Sequence, residues 1–304
     1  MAENKSSVGG EFTPRQVNYR FLFVQLLVLI FLSVNFLLIA TFFKKECFNT
    51  TARYILFAVT LLSDSLLLIM SNVLLLLLNF QLAMQVWLCI IIHAVILLYF
   101  IVTPVTLTAM TLERYMAICM PLRHGELCST RSTVRCILII HCLSSVPCIV
   151  SISTVLAFAS VRFYLKYSLC YASVVTMYRW QGHVRLAVYQ FYFLSMCIII
   201  VVSYVKIMKA AKAASGENKK STWKGLRTVI LHAFQLLLCL IQLWSPFVET
   251  EFIKSVSYSD IRYSNYILFS VAPRCLSPLI YGLRDEAFLH ELKKSFFCRY
   301  KRNN

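Results

Sequence analysis

The chain has 304 residues, 59% of them hydrophobic and 14% charged, against roughly 25% charged in soluble domains. A water-soluble fold has no interior large enough for that apolar surface, so composition alone describes a polytopic membrane protein. Its net charge of +17 is divided among short loops between apolar segments, with no basic face interleaved with aromatics, which excludes nucleic acid as a partner.

Residues 1–20 are polar and lack the short apolar core and small-residue cleavage site of a signal peptide. The first apolar span covers residues 21–43, long enough to cross a bilayer, with Asn35 as its main polar residue. Lys44, Lys45 and Arg53 follow it. The second span, residues 54–78, carries Asp64 in its interior, and a loop without Lys or Arg leads to the third, residues 86–112. Met110 to His124 reads MTLERYMAICMPLRH, so Glu113, Arg114 and Tyr115 stand where an apolar helix leaves the membrane. Charges there must be solvated or paired.

A basic loop precedes the fourth span, residues 136–160, in which Pro147 predicts a kink. A loop over 161–185 contains Cys170. The fifth span covers 186–207 and is followed by a run of Lys. The sixth covers 228–248, with Trp244-Ser245-Pro246 near its far end, and the seventh, 261–283, carries Arg274. The expected fold is therefore an all-α membrane protein, a seven-transmembrane helix bundle over 21–283 between a 1–20 terminus and a 284–304 tail. In the tail, Phe288, Leu289, Leu292, Phe296 and Phe297 fall on one side of a short amphipathic helix, and Cys298 at its end is a candidate palmitoylation site.

Seven spans put the two termini on opposite sides. Of the 30 Lys and Arg, 20 lie on the side of the 114–135 loop and the tail, nine on the other, and Arg274 within a span. The positive-inside rule makes the richer side cytoplasmic and the N-terminus extracellular, at the plasma membrane. Asn4, in an Asn-Lys-Ser sequon, then faces outside and is open to glycosylation, whereas Asn49 is not.

This topology sorts the 12 cysteines. Cys89 and Cys170 alone fall in oxidising space, so they form either one disulfide or two free thiols. Asp64 and Arg274 lie at equal depth, roughly 15 Å from the cytoplasmic face, with opposite sign. They form an ion pair between the second and seventh helices, or each faces its own water pocket. The six His are scattered, Cys136, Cys142 and Cys148 recur at six-residue spacing that splays them around a helix, and the 7 glycines make no phosphate loop. No G-x-S-x-G or H-E-x-x-H occurs either. No enzyme, metal or cofactor is expected.

Asn35, Asp64, the Cys89/Cys170 pair, Glu113-Arg114-Tyr115, Ser203-Tyr204 and the 277–284 run SPLIYGLR together resemble a rhodopsin-like G-protein-coupled receptor. Within that family MTLERYMAICMPLRH is similar to the odorant-receptor signature Met-Ala-Tyr-Asp-Arg-Tyr-Val-Ala-Ile-Cys followed by Pro-Leu, with wording most like the fish-type receptors. The resemblance covers nearly the whole chain. It implies that a small, largely apolar odorant binds in the outer half of the bundle, between helices three, five, six and seven. His93, Leu97, Phe100, Ile101, Val188, Tyr189, Tyr192 and Trp244 are the candidate contacts.

The resemblance further implies that Arg114, with Glu113 as its resting partner, is the switch for a heterotrimeric G protein of the stimulatory type, with Tyr204 and Tyr281 as polar partners. Two departures stand out. Ser277 precedes Pro278 where the family has Asn, and Arg274 falls where relatives place small polar residues around a sodium ion, so its side chain replaces that cation. The alternatives are a class A receptor for a peptide or lipid, or a transporter or channel. Few Gly, unequal spans and only two deep charges argue against the last.

Overall fold

The computed structural model describes residues 14–44, 48, 50–171, 176, 178–214, 234, 237–238, 264 and 266–275. In chain order these form α1 (Pro14–Phe43), α2 (Ala52–Asn79), a two-residue strand β1 (Met84–Gln85), α3 (Val86–Cys119) and α4 (Pro121–Leu127). There follow α5 (Thr130–Phe158), α6 (Val161–Leu165), β2 (Tyr167–Ser168), α7 (Arg179–Ala214) and a π-helical turn (Tyr266–Val271). Among the described residues α1, α2, α3, α5 and α7 are long and apolar enough to cross a membrane. They are the first five expected spans. The sixth span, most of the seventh, Trp244, Tyr281, the amphipathic tail, Asn4 and Cys298 lie outside the described residues.

The helices run past the apolar stretches that announced them. At 34 residues α3 is about 51 Å long, against a hydrocarbon core of about 30 Å, so its last turns stand clear of the lipid. It runs through an internal Pro104 and ends at Cys119, where the ring of Pro121 disfavours helical geometry at Met120 (φ −136°, ψ 57°). Pro121 then opens α4 at its first position, where a missing N–H costs nothing. α5 begins at Thr130, six residues before the expected 136, with the Ser129 hydroxyl accepting from the Ser132 amide at 3.4 Å. The region read as the 161–185 loop contains α6, β2 and the first turns of α7.

α2 ends in a Schellman motif. The Leu82 amide donates to the Leu77 carbonyl and the Gln81 amide to that of Leu78. Gln81 occupies the left-handed position, φ 51°, normally given to Gly. β1 then pairs antiparallel with β2, Met84 opposite Ser168 and Gln85 opposite Tyr167, which lays the segment after α6 across the outer end of α3.

α3 is central, packed against α2, α5, α6 and α7. The main core joins Leu56 and Leu61 of α2, Ile101, Leu107 and Met110 of α3, Ile140 of α5, and Tyr189 and Met196 of α7. Outward faces are apolar as well. On α7, Phe191, Leu194, Ile198, Val201 and Val205 form one exposed stripe at helical spacing, the face a lipid solvent requires.

Pro147 lies inside α5 and removes the amide hydrogen that would reach the Leu143 carbonyl. The Tyr192 hydroxyl of α7 donates to that carbonyl instead, at 2.6 Å. In lipid an unmet carbonyl has no water to turn to, so this bond both repairs α5 and ties it to α7.

Candidate functional site

α3 carries chemistry at both ends and in the middle. At its outer end Cys89 and Cys170 are joined in a disulfide, with Cα atoms 5.5 Å apart, so the chain after β2 is fastened over the bundle. One turn further in, His93 is buried beneath this bridge, its Nδ1 3.6 and 3.7 Å from the two sulfurs. Leu97 packs against both the main core and a smaller outer cluster of Val86, Ile90 and Val155.

The Phe100 ring lies 5.9 Å from that of Tyr189, which is also buried. Val188 is half-buried beside it on α7. Ile101 is fully enclosed in the main core. Tyr192 spends its hydroxyl on Leu143, which makes it a strut between α5 and α7. The structure thus packs Leu97, Phe100 and Tyr189 into one core, while His93, one turn before Leu97 on α3, lies against the disulfide.

At mid-membrane a polar layer crosses four helices. The Asp64 carboxylate accepts from the Thr103 hydroxyl at 2.9 Å, and the same oxygen lies 3.7 Å from Nε of Arg274. Both charged side chains are essentially sealed from solvent, and Arg274 is the largest fully buried side chain among the described residues. Their opposite charges offset part of each other's desolvation, as a buried pair must. Asn35 donates to the hydroxyl of Ser65, the residue after Asp64 on α2, at 3.2 Å. The π-helical turn immediately precedes Arg274, and its Tyr266 hydroxyl is 3.3 Å from that of Ser71.

At the inner end Glu113 and Arg114 are both buried. Glu113, read from the sequence as the partner of Arg114, is engaged on both oxygens by residues the sequence did not single out. Oε2 lies 3.8 Å from Arg53 Nε at the start of α2, and Oε1 lies 3.2 Å from His124 Nε2 on α4. Glu113 thus joins three elements at the membrane boundary. The Lys206 ammonium of α7 sits over the Tyr115 ring, 5.6 Å from its centroid. Tyr204 packs against the core from the same helix. Burial first, then the charge of Glu113 and the neighbouring Cys136, raise the Cys128 thiol above its ordinary range.

A buried charge layer at mid-membrane, a disulfide roof at one end of a central helix and a buried Glu-Arg-Tyr at the other define a class of protein. The family model described as 7 transmembrane receptor (rhodopsin family) matches residues 34–281. The chain belongs to the rhodopsin family of seven-transmembrane receptors, which are multi-pass membrane proteins and not enzymes, and within it to the odorant receptors. It is 42% identical to Odorant receptor 131-2 of Danio rerio over 297 residues, 97% of this chain and 91% of that protein. Olfactory receptor 6Q1 of Homo sapiens is 26% identical over 203 residues, 64% of this chain and 62% of that one. Galanin receptor 2a, also of Danio rerio, is 24% identical over 231 residues, 70% of this chain and 59% of that receptor.

Proposed function

We infer that this receptor binds a small, largely apolar odorant in the outer half of its bundle and activates a heterotrimeric G protein at its cytoplasmic face. The observation that carries the reading is the 42% identity to Odorant receptor 131-2 along almost the full length of both chains. The geometry supports it: below the disulfide, Leu97, Phe100 and Tyr189 supply apolar and aromatic surface with few polar groups, the composition of a small-molecule site.

The receptor works as an equilibrium between two helix packings, and a ligand shifts it only by binding one of them better. Glu113 holds α3 to α2 and α4 in the resting packing. Activation moves Arg114 away from this cluster and opens a cleft for the G protein, with Tyr204 and Tyr281 as polar partners. The excess of Lys and Arg on the side of Arg114 puts that face in the cytoplasm and the N-terminus outside. The test is cAMP accumulation in cells expressing the receptor with a stimulatory G protein, across odorants grouped by chemistry. A receptor-dependent, ligand-dependent rise is expected. A ligand-gated current or uptake without G protein would assign the chain to transport.

A further inference from the structure

Glu113 is held at the foot of α3 by two side chains of different kinds. Arg53 Nε lies 3.8 Å from Oε2, near enough to attract but too far to donate, whereas His124 Nε2 lies 3.2 Å from Oε1, within hydrogen-bond reach. An ionised carboxylate can only accept, so Nε2 carries the hydrogen of this bond. The Glu113 side chain is 7% exposed and the His124 side chain 35%. One end of the bond is therefore sealed in the bundle. The other is wetted from the inner side, which on the proposed orientation is the cytoplasm.

Imidazole is the side chain whose charge ordinarily changes between about pH 5 and pH 8. With Nε2 already holding a hydrogen, the next proton from the cytosol enters at Nδ1. The bond to Glu113 survives and becomes charge-assisted, roughly twice as strong as a neutral one. The groups around it do not repeat this response. Arg53 at the start of α2, Arg114 on α3 and Arg123, exposed on α4, keep their charge throughout. Among the described residues, Glu126 on α4 and Cys119 at the end of α3 make no side-chain bond to His124. Cys128, just beyond α4, is pushed up and away from this range by its burial.

We propose that His124 makes this receptor a sensor of cytosolic pH: protonation of its ring tightens the hold on Glu113 and lowers signalling in the absence of ligand. The resting packing, in which His124 meets Glu113, binds that proton more tightly than a packing in which the contact is broken. Acid therefore favours rest, and alkali favours release. A fall in cytosolic pH quiets the receptor, and a rise brings it closer to firing. This inference rests on the reading that Glu113 holds the resting packing of a G-protein-coupled receptor, and it names a regulator of that packing.

The experiment measures ligand-free cAMP in cells carrying the full receptor and a stimulatory G protein. An ionophore in high potassium clamps the cytosol at about pH 6.5 or about pH 7.8, either side of the ordinary imidazole transition. Signals are normalised to surface receptor and to cells without it, which removes the response of the cyclase itself. The natural receptor should signal roughly two- to fivefold more at the higher pH. His124→Gln, a neutral donor, should signal equally at both, and His124→Arg, permanently charged, should stay low at both. A second readout needs no G protein: the melting temperature of purified receptor in detergent at the same two pH values. The advantage of the natural receptor over His124→Gln should be larger at the lower pH. An equal cAMP slope in the natural receptor and His124→Gln would overturn the proposal and leave the odorant reading untouched. Higher signalling at the lower pH would overturn it too, because Glu113 itself would then be taking up the proton. If cAMP stays flat in every receptor, a melting difference that follows pH upholds the proton contact and counts against the coupling. A melting difference that ignores pH sinks the contact as well.

Discussion

Pro147 takes one amide hydrogen out of α5, and Tyr192 returns a hydroxyl hydrogen from α7. Interhelical hydrogen bonds in lipid are worth about 0.6 kcal/mol on average and nearly 2 at most. Tyr192→Phe should therefore cost about 1 kcal/mol of thermal stability in detergent, with ligand selectivity unchanged. In a Pro147→Ala background the cost should largely vanish, because the substituted residue would supply its own amide to Leu143. An equal loss in both backgrounds would mean that Tyr192 acts through something other than this bond. Gln81 offers the opposite case. It holds a left-handed backbone at a price of roughly 1 kcal/mol to a side-chain-bearing residue, so Gln81→Gly should raise the melting temperature. A lower one would mean that the Gln side chain contributes more than its backbone costs.

Among elements, α3 is the member through which the others meet. Glu113 fastens its inner end to α2 and α4, and Arg53 is partly exposed, so the cluster contributes on the order of 1 kcal/mol, screened by water. Glu113→Gln should raise ligand-free cAMP several-fold, since about 1 kcal/mol moves a two-state equilibrium roughly fivefold. His124→Phe should do the same to a smaller extent. Unchanged basal signalling in both would remove the cluster from the resting state.

How much of this was legible in sequence depends on whether partners are near along the chain. The first five spans were readable because each is a continuous apolar run, and the equal depth of Asp64 and Arg274 followed from counting residues. Arg53 and His124 were not, because a charge in a loop carries no mark of which carboxylate it will meet. Thr103 was hidden for another reason. Thr106, Thr108 and Thr111 on the same helix all return their hydroxyls to the carbonyl four residues earlier, the ordinary habit of a helical Thr. Nothing in sequence separates Thr103, whose hydroxyl reaches the Asp64 carboxylate at 2.9 Å besides the Tyr99 carbonyl at 3.5 Å, from these three. Pro147 announced an unmet carbonyl but not its donor.

For the whole molecule, the lipid solvent sets the terms: apolar stripes face outward, and polar groups gather in a layer along the axis of the bundle. On the proposed orientation, read from the Lys and Arg count, Asn4 faces outside, and an Asn4→Gln receptor should lose the mass shift that enzymatic deglycosylation is expected to give the natural one. A shift that persists, or a glycan at Asn49, would invert the topology. The disulfide roof over the end of α3 is equally a property of the whole chain. Cys170→Ser should lower surface expression as far as Cys89→Ser does, because either leaves the other a lone thiol and releases the same segment. Normal trafficking of either variant would show that the roof holds without its bridge.

That bridge spans 81 residues of sequence, and α5 lies between its two ends. During synthesis Cys89 is made first and waits. It meets its partner only after the α5 span has been threaded into the bilayer and the segment beyond it has emerged on the same side. Closing of the roof is thus a record of assembly: it requires that α5 has crossed the bilayer and brought Cys170 to the side of Cys89.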